Sequence, residues 1–281
     1  MSLNDPKYRI QLAEETVAIS TKGSYRNASG TEIDIRKETD ECVRHTQLLE
    51  PDDLQQLLEK NYSNRFPSTQ ITVTGETTLE AAQRLAQVKE KVLALNFASA
   101  RNAGGGFLKG SLAQEESIAR SSALYPSLLS APDYYNRHRK SSSLLYSDTM
   151  IYSPSVPVFR NDNGQLLDKP YYLSVITSPA ANKGAILQNN APGLDKIEEV
   201  MDVRTAKVLA LAAEKGYSTL VLGAWGCGVF RNDPIVIAAL FKKHLLENPN
   251  LKQAFREVVF AVYDSSKTQE VRNAFERTFV I

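Results

Sequence analysis

From about residue 70 onward, short apolar runs alternate with longer stretches in which apolar residues return every three or four positions. The first pattern is that of strands buried on both faces, the second that of helices laid against a sheet. Strands are expected at QITVT (70–74), KVLALNFAS (91–99), YYLSVITSPA (171–180), STLVLGAW (218–225) and REVVFAVYD (256–264). Between them, LEAAQRLAQVKEK (79–91) carries a stripe of Leu79, Ala82, Leu85, Ala86 and Val88, with Thr77 or Thr78 as its cap. DKIEEVMDVRTAKVLALAAEKG (195–216) reads as a helix capped by Asp195 and stopped by Gly216. DPIVIAALFKKHLLENP (233–249) reads as another, with Asp233 as cap, Pro234 in its first turn and Pro249 beyond its end. Such alternation predicts an α/β fold with a largely parallel or mixed sheet covered on both faces.

The first 65 residues follow a different rhythm. A short helix is expected over 8–20, ended by Gly23, and EIDIRKE (32–38) alternates like a strand. LQQLLEK (54–60) forms a short amphipathic helix behind Pro51. Residues 1–65 are therefore an N-terminal accessory segment, and 66–281 the main domain. Within the main domain, 130–170 stands apart as rich in Tyr, Ser, Pro and Asn. There VPVFRNDNGQLL (156–167) predicts a hairpin turning at Asn163-Gly164.

Composition narrows the function classes. A chain of 281 residues, 42% of them hydrophobic, can bury a sizeable core without disulfides. Lys and Arg number 33 against 32 acids, a balance that argues against wrapping nucleic acid through bulk charge. Cys42 and Cys227 lie too far apart in sequence to mark a disulfide scaffold or a zinc ribbon. MSLNDPKYRIQLAEE lacks the apolar stretch of a signal peptide, and no apolar run approaches the roughly 20 residues of a membrane helix. A soluble cytoplasmic protein, without membrane or metal, is expected.

Two constellations carry chemistry. In RNAGGGFLKGSLAQEESIAR, Gly104, Gly105 and Gly106 follow the buried strand KVLALNF directly. Lacking a Cβ, such residues let the backbone approach a ligand closely, and successive N–H groups can cup an anion. Gln114, Glu115 and Glu116 then open a helix expected to run through IARSSALY (118–125). Acids at a helix start also serve simply to complement its positive end. The second constellation is LVLGAWGCGVFRNDP (220–234), where a buried strand runs through Gly223, Gly226 and Gly228 into a helix start at Asp233-Pro234. Exposed N–H donors beside a helix N-terminus suit a pyrophosphate. The loop has neither the Lys-Ser/Thr pair of a Walker motif nor dinucleotide-fold spacing.

Together these segments resemble the microbial-type (bacterial) poly(ADP-ribose) glycohydrolases of the macrodomain superfamily. The GGG-to-QEE block is matched without gap or substitution, and the GCGVF core resembles the macrodomain diphosphate loop. ETVAIS…KGSY, SPAANKGA and VYDSS…AFERTF look like further blocks of the same family, so the resemblance covers most of the chain. It implies a three-layer α/β/α macrodomain with a central mixed sheet and an N-terminal accessory extension. It also implies hydrolysis of ribose–ribose O-glycosidic bonds from the end of the polymer, releasing ADP-ribose, by a monomer acting on poly(ADP-ribose) or ADP-ribosylated protein without a cofactor. By the same resemblance Glu116 is the acid/base, Glu115 orients ribose hydroxyls and Gln114 supports the site. Gly104, Gly105, Gly106, Asn102, Gly226, Cys227, Gly228, Val229 and Phe230 bind substrate, with Phe230 beside the scissile ribose. An ADP-ribose reader and a mono-ADP-ribosyl hydrolase remain as alternatives; the intact acid triplet separates the enzymes from the reader.

The remaining candidates have structural explanations. Cys227 has no histidine near it in sequence, and small-residue packing accounts for it. His45, His138 and His244 are scattered. Asn136–Lys140 is a basic run best read as a solvated loop, and Trp225 is placed to pack beneath the glycine loop. Asn96, Asn102 and Asn182 lie near strand ends and are candidate polar contacts.

Overall fold

The computed structural model describes residues 2–88 and 91–279. Along the chain the elements are α1 (Pro6–Lys22), β1 (Ser24–Arg26), β2 (Glu32–Asp34), α2 (Arg36–Arg44), β3 (Gln47–Leu49), α3 (Pro51–Leu58), β4 (Gln70–Thr74), α4 (Thr78–Ala86) and β5 (Leu93–Phe97). Then come α5 (Gln114–Ser121), α6 (Leu124–Leu129), α7 (Pro132–Lys140), β6 (Met150–Arg160), β7 (Leu166–Ser178) and α8 (Lys183–Gln188). The last are α9 (Ile197–Glu214), β8 (Thr219–Leu222), α10 (Pro234–Lys242), β9 (Glu257–Ala261) and α11 (Glu270–Phe279).

The central sheet has the order β3-β6-β7-β5-β8-β9-β4. From β7 to β4 all neighbours are parallel, while β6 runs antiparallel to β7 and β3 antiparallel to β6. It is thus a mixed sheet, with the long β6–β7 hairpin turning at Asn161–Gln165 as the Asn-Gly signal predicts. Alternate residues of each strand feed two separate cores. Leu93, Leu95, Leu220, Leu222, Val258 and Phe260 pack with α9, α10 and α11 on one face. Ala94, Val221, Val259 and Val175 pack with α4, α5 and α6 on the other. This two-sided burial explains the unbroken apolar runs and makes the arrangement three-layered.

The N-terminal segment contributes to this body at several points. β3 is an edge strand of the main sheet, and α3 packs on α9. From α1, Ala13 packs with Phe107 and Ala119, and Arg9 Nε donates to the Gly110 carbonyl at 2.5 Å.

Several local expectations give way. Only Glu32–Asp34 of EIDIRKE is extended; Arg36 begins α2, whose buried stripe is just Thr39 and Cys42, too narrow to register as a helical period. IARSSALY is not one helix: Ser122 turns extended, bridges Val158 and sends its hydroxyl to the Ile118 carbonyl at 2.7 Å. Asp195 does not cap α9; it lies in a single tight turn, and the helix starts after Lys196 without a side-chain cap. The basic run 136–140 is not a loop but the last turns of α7, with Tyr134, Tyr135 and His138 facing inward. α4 ends at Ala86, and the rest of the expected helix includes Lys89 and Glu90, which lie outside the described residues. Elsewhere caps fall as expected, with Thr77 accepting from Glu80 N and Asp233 from Ile235 N.

Candidate active site

β5, β7 and β8 are parallel neighbours, so the loops that follow them leave the sheet at one edge. The loop after β5 carries the three glycines and returns into α5; the loop after β8 carries Gly223–Phe230. They start side by side, since a Cβ on Gly223, the residue after β8, would stand 3.0 Å from Cζ of Phe97, the last residue of β5. The segment after β7 joins them: Trp225 Nε1 donates to the Ser178 carbonyl at 3.2 Å, and Ala98 N to the same oxygen at 3.2 Å. Trp225 is fully buried beneath its loop.

Gln114 fixes the position of α5. Its side-chain Oε1 accepts from Phe97 N at 2.9 Å, while Nε2 donates to the Leu95 carbonyl at 2.7 Å and to Thr78 Oγ1 at 3.2 Å. The amide thereby docks the helix onto the backbone of β5, a task that needs a donor and an acceptor on one short group. Successive residues on a helix point about 100° apart, so Glu115 and Glu116 face different surroundings. Glu115 is buried, at 3% exposure, and accepts from Ser99 N at 2.6 Å and, more weakly, from Asn96 Nδ2 at 3.4 Å. Burial, with the charge of Glu116 adding to it, pushes Glu115 well above the ordinary carboxyl range despite these hydrogen bonds. Glu116 is half-buried and accepts from Gly106 N at 2.9 Å.

Gly105 is the floor between the two acids. With φ of +63° it sits in the left-handed region, and a Cβ there would stand 2.3 Å from Glu116 Oε1 and 3.0 Å from Glu115 Oε2. Gly104 is buried against Phe107 and Ala119, and Asn102 is exposed, using its carbonyl to accept from Gly105 N at 3.0 Å.

In the second loop, Gly226 has φ of +74°, and a Cβ would stand 2.5 Å from both Ala180 and Asn232. Gly228 differs: no heavy atom lies within 4 Å of its would-be Cβ, so the protein alone does not require glycine there. Val229 is 82% exposed, and Phe230 is half-buried with its ring 6.2 Å from that of Tyr146. Cys227 is a free thiol whose burial pushes it up to about 12, far from a reactive thiolate. The structure thus places the sequence-derived site residues beyond the same ends of the parallel strands β5 and β8, the carboxylates in the first turn of α5 and the open amide turn in the loop after β8.

Sequence reasoning missed what braces this edge. Arg204, on α9 and fully buried, donates Nε to Asp148 at 2.8 Å, NH1 to the Pro179 carbonyl at 2.9 Å and NH2 to the Tyr146 carbonyl at 3.1 Å. Lys207 completes the cluster on Asp148 at 2.8 Å. One cation thus ties the segment after β7 to the residue packed on Phe230. An arginine and a lysine three apart on a helix rich in alanine and leucine were the only signal. Of the asparagines, Asn96 lies under Glu115, whereas Asn182 caps α8 by accepting from Ala185 N at 3.0 Å. His138 is buried between the Tyr134 carbonyl and Ser147, and His244 pairs with Asp202 at 2.7 Å, so neither is a surface residue. A cavity of about 210 Å³ between α3, α9 and the turn after α10 is lined by Leu57, Tyr62, Asp202 and His244 and contains none of the site residues. Among the described residues, no group of three or more His, Cys, Asp or Glu is placed to hold a metal, and no helix is long and apolar enough to cross a membrane.

The same residues can be compared with known proteins. The family model for the microbial-type PARG catalytic domain matches residues 13–161. Among solved structures, poly(ADP-ribose) glycohydrolase (PARG) from Thermomonospora curvata is 45% identical, with a TM-score of 0.93 over 97% of this chain and 100% of that one. The same enzyme bound to the inhibitor ADP-HPD is similar at 46% identity and a TM-score of 0.91, over 97% of this chain and 100% of that one. The Deinococcus radiodurans enzyme in complex with ADP-ribose is 43% identical, with a TM-score of 0.82 over 85% of this chain and 96% of that one. No protein with a curated description matches.

Proposed function

Starting from the fact that this chain belongs to the microbial-type poly(ADP-ribose) glycohydrolases and is a glycoside hydrolase, we propose that it cleaves the ribose–ribose bonds of poly(ADP-ribose) from the chain end, with Glu116 as acid and base. The neighbours solved with ADP-ribose and with ADP-HPD supply the ligand class, and the residues of this chain supply the chemistry. The carrying observation is the pair of carboxyls converging on Gly105 at the sheet edge that also bears the amide turn at Gly226–Phe230.

In this reading the amides of the 226–230 turn hold the diphosphate, and Phe230 lies against the ribose next to the scissile bond. Bond breaking places positive charge on the anomeric carbon while the departing ribose oxygen takes up a proton. Burial of Glu115, with the charge of Glu116 adding to it, favours a proton being kept there. Glu116, the less buried of the two, delivers the proton to the departing oxygen and then takes one from the attacking water. Glu115, held by Ser99 N and Asn96, orients ribose hydroxyls; Gly104, Gly105, Gly106 and Asn102 form the floor. The first 65 residues brace α5 through α1, and we assign to them the closing of one side of the cleft. A cytoplasmic monomer completes the proposal, in keeping with two unpaired cysteines.

The test is incubation with automodified polymerase carrying poly(ADP-ribose), comparing wild type with Glu116→Ala. Wild type should release free ADP-ribose, and the variant should be slower by about 10²–10⁴-fold, the range for loss of a general acid. Equal release by both would remove Glu116 from the chemistry, and binding without release by wild type would make the chain a reader.

A further inference from the structure

The chain between the three glycines and α5 is gripped from outside by α1. Phe107–Lys109 forms one tight turn, closed by Lys109 N and Ser111 N, which both donate to the Gly106 carbonyl, at 2.9 and 3.1 Å. The N–H of the same Gly106 donates to Glu116 Oε1 at 2.9 Å. Gly106 therefore couples the turn to the acid: the turn holds its carbonyl, and its N–H holds the carboxylate.

At the other end of the turn, Gly110 has φ of +75°, and a Cβ there would stand 2.6 Å from the Pro6 carbonyl oxygen and 3.2 Å from Ile10 Cγ1. The first turn of α1 thus lies directly on Gly110. From that helix Arg9, only 9% exposed, donates Nε to the Gly110 carbonyl at 2.5 Å and NH1 to the Leu3 carbonyl. Its partners among the described residues are backbone carbonyls, not a carboxylate. Arg120 NH1 reaches the next carbonyl, that of Ser111, at 3.2 Å, so an arginine sits on each of two consecutive carbonyls. The arrangement has a cost, since burial, with the charge of Arg9 adding to it, pulls Arg120 down to about 10. An apolar side chain would fill the place of Arg9 without a buried charge. What only the planar guanidinium supplies is a fixed fork of donors, which sets the Leu3 and Gly110 carbonyls at one spacing.

We propose that Arg9 is a positioning residue for the hydrolysis: by fixing the Gly106–Ser111 turn against α1, it sets where Gly106 N holds the Glu116 carboxyl. Arg9 acts through backbone and bonds to neither carboxyl. Its effect on rate rests on Glu116 being the acid, as assigned above; its effect on the turn does not.

Arg9→Met keeps an unbranched stem and removes both donors. In initial rates on poly(ADP-ribose) its kcat should fall about 10–10²-fold, the cost of a slightly misplaced catalytic group, while KM stays within about twofold. Arg9→Lys, able to restore one of the two hydrogen bonds, should lie between Arg9→Met and wild type. Hydrogen exchange followed by mass spectrometry should quicken over residues 103–113 in Arg9→Met. Tyr25→Phe is the control: it removes a 2.9 Å bond from the same N-terminal segment to the Leu167 carbonyl of β7, and should lower Tm without changing kcat or exchange over 103–113. Should Arg9→Met not fold, Arg9→Lys carries the test, with kcat several-fold below wild type at unchanged KM. Wild-type kcat in the folded Arg9 variants, an equal loss of kcat in Tyr25→Phe, or unchanged exchange over 103–113 would each overturn the proposal. Wild-type kcat in Glu116→Ala would instead remove the acid assigned above, and exchange over 103–113 would then decide by itself whether Arg9 holds the turn.

Discussion

Replacing Gly105 by alanine tests the geometry of the carboxylate pair at its narrowest point. The new Cβ would stand 2.3 Å from Glu116 Oε1 and 3.0 Å from Glu115 Oε2. Backbone cannot relieve this cheaply, because φ of +63° costs a residue with a Cβ about 1–2 kcal/mol even in open space. The Glu116 carboxylate is a mobile end and swings away, giving up the 2.9 Å bond from Gly106 N, a charge-assisted contact worth about 1.5–3 kcal/mol. Folding stability should therefore fall by roughly 2.5–5 kcal/mol, measurable by urea titration. Activity should suffer more in proportion: a displaced acid costs on the order of 10²-fold or more in kcat. Gly228→Ala is the control. Nothing lies within 4 Å of its Cβ, so stability should change by less than about 0.5 kcal/mol, while affinity for ADP-ribose drops as the methyl meets the diphosphate. Calorimetric titration with ADP-ribose and initial rates on polymer separate the two variants. A Gly105→Ala protein that folds and keeps wild-type kcat would refute the placement of Glu116.

Three further outcomes follow from the same contacts. Burial raises Glu115 in the folded protein above its ordinary value of 4.5, so the stability it contributes is whole below about pH 4.5 and is lost as pH climbs through the folded value. Glu115→Gln removes that titration, and its urea midpoint should fall less than that of wild type between about pH 5 and 9, a difference whose absence would mean the carboxyl is not desolvated. Asp148→Ala strands Arg204 and Lys207 as buried cations and should cost about 3–5 kcal/mol, with a weaker hold on ADP-ribose because the Tyr146–Phe230 contact loosens; a loss under about 1 kcal/mol would show the cluster to be hydrated. Cys227→Ala should retain activity within a few-fold, and wild type should resist iodoacetamide at neutral pH, since its thiol is pushed up to about 12; rapid alkylation with loss of activity would contradict this.

What could be read from the chain divides along physical lines. The buried strands were legible because both faces of each feed a core, which demands unbroken apolar runs such as Leu93–Leu95 and Val258–Phe260. The two loops were legible because their constraints are local: Gly105 and Gly226 need positive φ and have no room for a Cβ. α2 and α7 were missed because a few buried residues among many charges leave no period to detect; in α7 the tyrosines and His138 do the burying. The Arg204 cluster was missed for another reason. Its partners, Asp148, Pro179 and Tyr146, are brought together only by the packing of α9 on the sheet, and no spacing records such a meeting.

The division of labour between the adjacent acids depends on Gln114. Two neighbouring glutamates on an isolated helix would be equally solvated, and nothing would distinguish them. Here the Gln114 amide grips the backbone at Leu95 and Phe97, which fixes the rotation of α5 about its own axis. That rotation turns Glu115 down onto Ser99 N and Asn96 and leaves Glu116 at the rim against Gly106 N. Burial then acts more strongly on Glu115 than on Glu116, so two like residues come to sit in unlike surroundings. Glu116 therefore owes its setting to a side chain that touches neither acid.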